Sequence, residues 1–213
     1  MTDDAKTIRK RVVVFISGGG SNMLALVKAA SEPDFPAQII AVISDKPDAG
    51  GLAKAQALGI ETFSFPRKDY HSKDGHEAAI LAQLAELAPD VICLAGYMRL
   101  LSATFINAYE GRIINIHPSL LPLFPGLHTH QRAIDAGMKS AGCTVHFVTE
   151  GMDEGPVILQ AQVPVLADDT AETLAARVLV EEHRTYPAAL RLIAEGTVRM
   201  PDSDDAAVAD VSS

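Results

Sequence analysis

Residues 111–130, GRIINIHPSLLPLFPGLHTH, combine side chains suited to acid–base chemistry with a stiff backbone. Residues 112–116 are rich in β-branched residues and predict a short strand. Asn115 and His117 are one residue apart, so their side chains point to the same side of an extended chain. The strand must end at Pro118, where a proline-rich loop begins. An amide can donate a hydrogen bond to a carbonyl oxygen while an imidazole moves a proton, so this strand end is a candidate catalytic site. A loop with a structural histidine is the alternative.

A glycine loop follows the first predicted strand. Residues 12–16 are continuously apolar, as in a strand buried on both faces, and residues 17–22 read SGGGSN. A helix is predicted from Met23, with Ser21 or Asn22 as its N-cap. Glycines let backbone N–H groups approach an anion, and the N-terminus of a helix favours negative charge. The loop therefore predicts a phosphate site, with a plain tight turn as the alternative.

The same loop also permits a nicotinamide-binding hypothesis. It lacks the Gly-Lys-Ser/Thr of a Walker A loop, and Met23 stands where the dinucleotide pattern GxGxxG has its third glycine. Asp45 ends the next predicted strand, about where an acid would bind a ribose. A nicotinamide-dependent oxidoreductase is thus an alternative of a different class, although it gives Asn115 and His117 no shared purpose.

Strand and helix patterns alternate along the chain and predict an α/β fold. We expect a Rossmann-like, twisted, mostly parallel sheet with helices on both faces. Residues 142–150 and 157–165 predict an antiparallel hairpin added in the C-terminal half, and residues 170–195 a long helix. Pro187 lies within that helix and predicts a break or kink.

The predicted topology brings three segments to one edge of the sheet. Ligands bind beyond the carboxyl ends of the strands in such a fold. The Gly20 loop follows the first strand, residues 96–99 follow the fourth, and His117 ends the fifth. Tyr97 and Met98, at that edge, are expected to touch a planar ligand.

Composition narrows the class of protein. A net charge of -9 argues against a nucleic-acid groove, which needs a basic stripe. The two cysteines lie in apolar runs and read as buried, reduced residues. The N-terminus lacks the apolar core of a signal peptide, and no apolar run reaches the length of a membrane span. We expect a cytoplasmic protein without membrane partners, with one domain over residues 1–200 and a disordered acidic tail over residues 201–213.

Histidines raise the possibility of a metal site. His117, His128 and His130 could supply three nitrogens, but they lack the i, i+4 helical spacing and a cysteine cluster. We therefore expect no metal. The remaining histidines are assigned to the surface or to packing: His71, His76, His146 and His183.

Four stretches together carry a family resemblance: SGGGSN at 17–22, LAGYMRLL at 94–101, NIHPSLLPLFPGLHTH at 115–130 and GCTVHFVTEGMDEGPVI at 142–158. In this order they resemble the phosphoribosylglycinamide formyltransferases, folate-dependent enzymes of purine synthesis. The resemblance covers residues 12–199. Methionyl-tRNA formyltransferase and formyltetrahydrofolate hydrolase share part of the pattern, but each carries an additional domain for which this chain has no room.

The resemblance implies a reaction and a set of residues. A formyl group would pass directly from 10-formyltetrahydrofolate, a cosubstrate, to the amine of glycinamide ribonucleotide through a tetrahedral intermediate, without a metal. The catalytic residues would be Asn115, His117 and Asp153. The ribonucleotide would contact Gly20, Ser21, Asn22 and Glu182. The folate would contact Lys73, Met98, Arg99, Leu100, Leu101 and Asn115. The protein would be a monomer or a homodimer.

Two residues depart from the family pattern. Lys73 stands where many members have an arginine beside the folate, and lysine lacks the bidentate fork of arginine. Leu179 stands where some members have a polar contact to the phosphate, so this chain would depend more on the Gly20 loop.

Overall fold

The computed structural model describes residues 8–201, which form one seven-stranded sheet in the order β3-β2-β1-β4-β5-β6-β7. The strands are β1 Lys10–Ile16, β2 Ala37–Ser44, β3 Glu61–Ser64, β4 Val91–Leu94, β5 Ile113–His117, β6 Ser140–Phe147 and β7 Val157–Pro164. The helices are α1 Ser21–Ala30, α2 Gly50–Ala57, α3 Lys73–Leu87, α4 Ala103–Ala108, α5 Thr129–Asp135 and α6 Ala171–Ala194, with a 3-10 turn at Arg67–Asp69.

The sheet is mixed in the way the sequence predicts. Strands β1 to β5 pair in parallel, whereas β5–β6 and β6–β7 pair antiparallel. The side chains of β1 alternate between two apolar cores, with Val12 and Val14 in one and Val13 and Phe15 in the other. Helices cover both faces, which is why the central strands read as continuous apolar runs. The predicted fold class is confirmed.

Helix α6 runs unbroken through Pro187, so the predicted break is wrong. Proline removes one helical hydrogen bond. The residues around it, Tyr186, Ala189 and Leu190, are completely buried against the sheet. This packing supports an unbroken helix across the missing bond. The predicted cap at Thr170 is confirmed, because its side chain accepts a hydrogen bond from the Thr173 N–H.

The start of α1 also differs from the prediction. Gly20, with φ 71°, is the N-cap in place of Ser21 or Asn22, and both of those residues lie inside the helix. A left-handed backbone at this point suits glycine, which has no Cβ to clash. The turn therefore rests on backbone freedom instead of a side-chain cap.

Several expectations concern composition and the chain ends. Cys93 and Cys143 are both buried free thiols, as predicted. Within residues 8–201, every helix is too short or too polar to span a bilayer. Over the same residues, no three His, Cys, Asp or Glu side chains are grouped so as to hold a metal ion. Residues 202–213, most of the predicted disordered tail, lie outside the described residues.

Candidate active site

His117 is held between two hydrogen-bond acceptors at the end of β5. Its Nε2 lies 3.0 Å from the carbonyl oxygen of Phe124, and its Nδ1 lies 3.3 Å from Oδ2 of Asp153. The side chain is 8% exposed. A carbonyl and a carboxylate can only accept, so both ring nitrogens of His117 face hydrogen-bond acceptors. The geometry suits a group that carries a proton toward a reacting atom.

Asp153 comes from the loop between β6 and β7. Its φ is 57°, a left-handed conformation that aspartate tolerates better than most residues. Oδ2 accepts a hydrogen bond of 2.8 Å from the Gly126 N–H in the proline-rich loop. The carboxylate thus joins that loop to His117.

A second histidine, His146, lies beside Asn115 and Asp153, although the sequence analysis assigned it to the surface or to packing. Its Nε2 lies 3.2 Å from Nδ2 of Asn115 and 3.8 Å from Oδ1 of Asp153. Its Nδ1 lies 2.8 Å from the Phe147 carbonyl oxygen, so Nδ1 carries the proton and Nε2 is left to accept from the Asn115 amide. One N–H of Asn115 is then fixed on His146, which leaves the other to donate elsewhere.

The register of the sheet brings His146 and Asn115 together. Asn115 lies directly opposite His146 in the antiparallel β5–β6 pair. Burial lowers the pKa of His146, although its hydrogen bond to Phe147 and the charge of Asp153 act in the opposite direction. The buried ring is therefore neutral near pH 7, as its acceptor role requires. The alternation of side chains along residues 142–150 indicates which face of the strand His146 occupies. Only the pairing of β6 with β5 shows that Asn115 is its partner.

The glycine loop turns its carbonyl groups toward α2. The Gly18 oxygen accepts from the Gly51 N–H at 3.0 Å, and the Gly19 oxygen accepts from Nζ of Lys54 at 2.8 Å. The C=O and N–H of a trans peptide point in opposite directions. The N–H groups that follow those carbonyls consequently face away from α2, where they can meet an anion at the start of α1.

Asn22 and Glu182 meet beside this loop. Asn22 Nδ2 donates to Glu182 Oε2 at 2.6 Å, while Asn22 Oδ1 is buried without a hydrogen-bond partner among the described residues. Burial raises the pKa of the Glu182 carboxyl, against the opposing effects of Asn22, His183 and His117. Glu182 is therefore held beside the glycine loop by its hydrogen bond with Asn22. Ser21 is exposed at the first position of α1, and Leu179 is half-buried on α6.

The 98–101 segment follows β4 and has two exposed apolar side chains. Met98 is 67% exposed and Leu100 is 62% exposed, while Leu101 packs partly against the core. Tyr97 is instead a core residue, because its ring packs edge-on against Phe15 with centroids 5.2 Å apart. Of the two residues expected to touch a planar ligand, only Met98 has an exposed side chain, whereas the ring of Tyr97 is buried in the core beside Phe15.

Two further predicted residues have protein partners. Nζ of Lys73, at the start of α3, lies 3.8 Å from Oε1 of Glu77. Asp45 is buried, and its two oxygens accept from Ser17 and Arg99. A ribose would have to displace both partners, so Asp45 does not support the nicotinamide hypothesis.

The class of protein follows from comparison with known families. A formyl transferase family model matches residues 10–190, so the chain belongs to this family. Within it, the phosphoribosylglycinamide formyltransferase of Escherichia coli is 43% identical over 192 residues, covering 90% of this chain and 91% of that protein. A crystal structure of the phosphoribosylglycinamide formyltransferase from Brucella melitensis is 70% identical, with a TM-score of 0.86, and covers 91% of this chain and 100% of that chain. The resemblance inferred from the four sequence stretches is confirmed.

Longer relatives also match. The trifunctional purine biosynthetic protein adenosine-3 of Bos taurus is 46% identical over 195 residues, covering 92% of this chain and 19% of that protein. The chain thus spans about a fifth of the length of this relative.

Proposed function

We propose that this chain transfers the formyl group of 10-formyltetrahydrofolate to the amine of glycinamide ribonucleotide in de novo purine (IMP) biosynthesis. The observation that carries the proposal is the cluster of Asn115, His117 and Asp153 at the end of β5, with His117 3.3 Å from Asp153. The names of the relatives support the same reaction.

The ribonucleotide phosphate would bind at the glycine loop. The N–H groups of Gly20, Ser21 and Asn22 lie at the start of α1, where the helix dipole favours an anion. Glu182, which accepts a hydrogen bond from Asn22, would also accept one from a sugar hydroxyl. These four residues are the proposed acceptor site.

The formyl donor would bind against the 98–101 segment. Met98 and Leu100 offer exposed apolar surface for a flat ring, and backbone groups of this segment offer hydrogen bonds. The proposed donor contacts are Lys73, Met98, Arg99, Leu100, Leu101 and Asn115. Lys73 is the least supported of them, since its ammonium group lies beside Glu77.

Asn115 and His117 would stabilise the charge that develops during transfer. The amine nitrogen bonds to the formyl carbon, the carbonyl oxygen becomes an oxyanion, and the free N–H of Asn115 and protonated His117 donate to it. One such donor is typically worth about 10²–10³ in rate. The bond from that carbon to the folate nitrogen then breaks as this nitrogen takes a proton from His117. The former amine nitrogen, now bonded to the formyl carbon, loses a proton through water to the neutral imidazole, so His117 ends the cycle protonated again. Asp153 holds the imidazole in place throughout.

We further propose a cytoplasmic enzyme with one catalytic domain over residues 1–200, active as a monomer or a homodimer. The net charge of -9 supports small-molecule partners over nucleic acid. We propose no metal and no membrane partner.

A formyl-handling enzyme with another acceptor is the second candidate. Formyltetrahydrofolate hydrolase would use water, and methionyl-tRNA formyltransferase would use a tRNA-linked amine. Asn22 Oδ1, which has no hydrogen-bond partner within residues 8–201, favours a ribonucleotide instead, because it could accept from a hydroxyl or amine of that substrate beside the glycine loop. An oxidoreductase receives no support, because both oxygens of Asp45 are engaged.

The test is an absorbance assay with a 10-formyl folate analogue, with and without glycinamide ribonucleotide. We expect turnover that requires the ribonucleotide. His117→Ala should lower kcat by about 10²–10⁴, the usual contribution of a general acid. His71→Ala, at an exposed position, is the matched control and should remain active.

Two results would contradict the proposal. Turnover without any acceptor would indicate a hydrolase. A folded wild-type protein that consumes no 10-formyl folate analogue, with or without the ribonucleotide, would exclude formyl transfer to the ribonucleotide.

A further inference from the structure

The backbone between β4 and α4 is held at its start by a buried carboxylate. Asp45, at the end of β2, accepts from Ser17 Oγ at 2.6 Å and from Arg99 Nε at 2.7 Å. Ser17 Oγ in turn accepts from the Met98 N–H at 2.9 Å. The Asp45 side chain is 2% exposed, so each of its contacts replaces a lost interaction with water.

A second buried carboxylate holds the end of the same stretch. Glu77, on α3, accepts from the Ser102 N–H at 3.0 Å and from the Ser102 hydroxyl. Ser102 is also the N-cap of α4 and accepts from the Phe105 N–H. The Glu77 side chain is 7% exposed, so this carboxylate too is largely removed from water.

These two carboxylates come from different elements and fix opposite ends of one short segment. Between them lie Arg99, Leu100 and Leu101, three of the proposed donor contacts. The cations paired with these carboxylates are partly exposed, Arg99 by 39% and Lys73 by 49%, so the ion pairs themselves are weak evidence for added stability. The contacts of the two carboxylates act instead on geometry, because they fix both ends of the 98–102 segment. Loss of either carboxylate would let this segment, which the formyl donor contacts, change its conformation.

We propose that Asp45 and Glu77 are positioning residues for the formyl-donor site. They do not touch the substrate; they hold residues 98–102 in the conformation that binds it. The proposal rests on the proposed function, which assigns the 98–101 segment to the donor. The proposal predicts different effects on the two substrates, because the acceptor would bind at the Gly20 loop and Glu182, which these two carboxylates do not hold.

The test measures KM for each substrate in Asp45→Asn and Glu77→Gln. Both variants keep the shape of the side chain and remove its charge. We expect KM for the 10-formyl folate analogue to rise about tenfold, as for loss of a charge-assisted hydrogen bond, and KM for the ribonucleotide to stay within about twofold. The change in kcat should be smaller than the change in donor KM.

Asp169→Asn is the matched control. Asp169 also pairs with an arginine, Arg177, and its side chain is 3% exposed, but it lies before α6 and away from the 98–101 segment. It should leave both KM values unchanged. If Asp45→Asn does not fold, Glu77→Gln carries the test.

The outcomes are distinct. An active wild type with unchanged donor KM in the folded variants overturns this inference and leaves the proposed function standing. Equal rises in both KM values also overturn it, since they indicate general loosening. A wild type without transfer activity overturns the proposed function, and this inference with it.

Discussion

His146 is the residue whose importance depends most on a neighbour. Its ring accepts from Asn115 and faces Asp153, while its own proton is donated to the Phe147 carbonyl. A protonated His146 could no longer accept, so Asn115 would lose its orientation. The neutral state of this buried ring is therefore part of how the cluster is built.

We predict a pH dependence of stability from this ring. The unfolded pKa of histidine is about 6.5, and burial makes the folded pKa of His146 lower. Between these two values the unfolded chain binds more protons, so stability falls as pH decreases below about 6.5. In His146→Gln, the melting temperature should decline less between pH 7.5 and 5 than in wild type.

Part of the decline should remain in this variant. Burial also lowers the pKa of His130, which titrates in the same direction. His71→Gln, at an exposed site, should show the wild-type slope. An unaltered slope in His146→Gln would contradict the prediction.

Sequence reasoning reached some of these residues and not others. Asn115 and His117 were predicted from their spacing on one strand, which is local information. Asp153 required the family resemblance, because an aspartate in a turn usually serves only the turn. His146 was missed because its role depends on pairing with β5, and a single strand does not specify its partner.

At the scale of elements, the loop between β6 and β7 depends on close backbone packing. A Cβ on Gly155 would overlap the carbonyl oxygen of Phe147, which is backbone and cannot move aside. The β6–β7 pair is antiparallel at this point, and the Phe147 N–H donates to Pro156. The position of Asp153 is therefore tied to a residue that has no side chain.

Gly155→Ala should displace this loop. We expect a loss of about 1–3 kcal/mol in stability, typical of overpacking, and a lower kcat as Asp153 moves. Urea unfolding and the formyl-transfer assay measure the two effects. Gly50→Ala is the control, since a Cβ there meets open space. Full stability and activity in Gly155→Ala would refute this account.

Element boundaries show where sequence patterns stop being informative. The apolar runs located the central strands β1, β4 and β5, because burial on two faces leaves a direct mark on composition. The break at Pro187 was predicted wrongly, since local propensity does not register the packing of Tyr186 and Leu190. The cap at Gly20 was also missed, because a φ of 71° is a property of the turn and not of a side chain.

At the scale of the whole molecule, Tyr186 joins α6 to the centre of the sheet. Its hydroxyl lies 3.0 Å from the Leu94 oxygen and 3.1 Å from the Ile114 oxygen, on β4 and β5. The side chain is completely buried. One group therefore connects the C-terminal helix to the two strands that lead to the active site.

Tyr186→Phe should destabilise the protein with little change in shape. Two buried carbonyls lose their shared donor, and we expect a cost of about 1–3 kcal/mol in urea unfolding. Tyr70→Phe, on a partly exposed side chain beside His76, is the control and should be near neutral. An unchanged midpoint in Tyr186→Phe would show that the hydroxyl contributes nothing to stability.

The two buried cysteines allow opening of the sheet to be measured by thiol alkylation. Cys93 lies on β4 and Cys143 on β6, and burial raises the pKa of their thiols to about 12 and about 11. Both sulfurs are completely buried and only the thiolate attacks alkylating reagents, so rapid labelling at either position requires the sheet to open. The alkylation rates of Cys93 and Cys143 would therefore measure how often the parallel and the antiparallel parts of the sheet open, without an engineered cysteine.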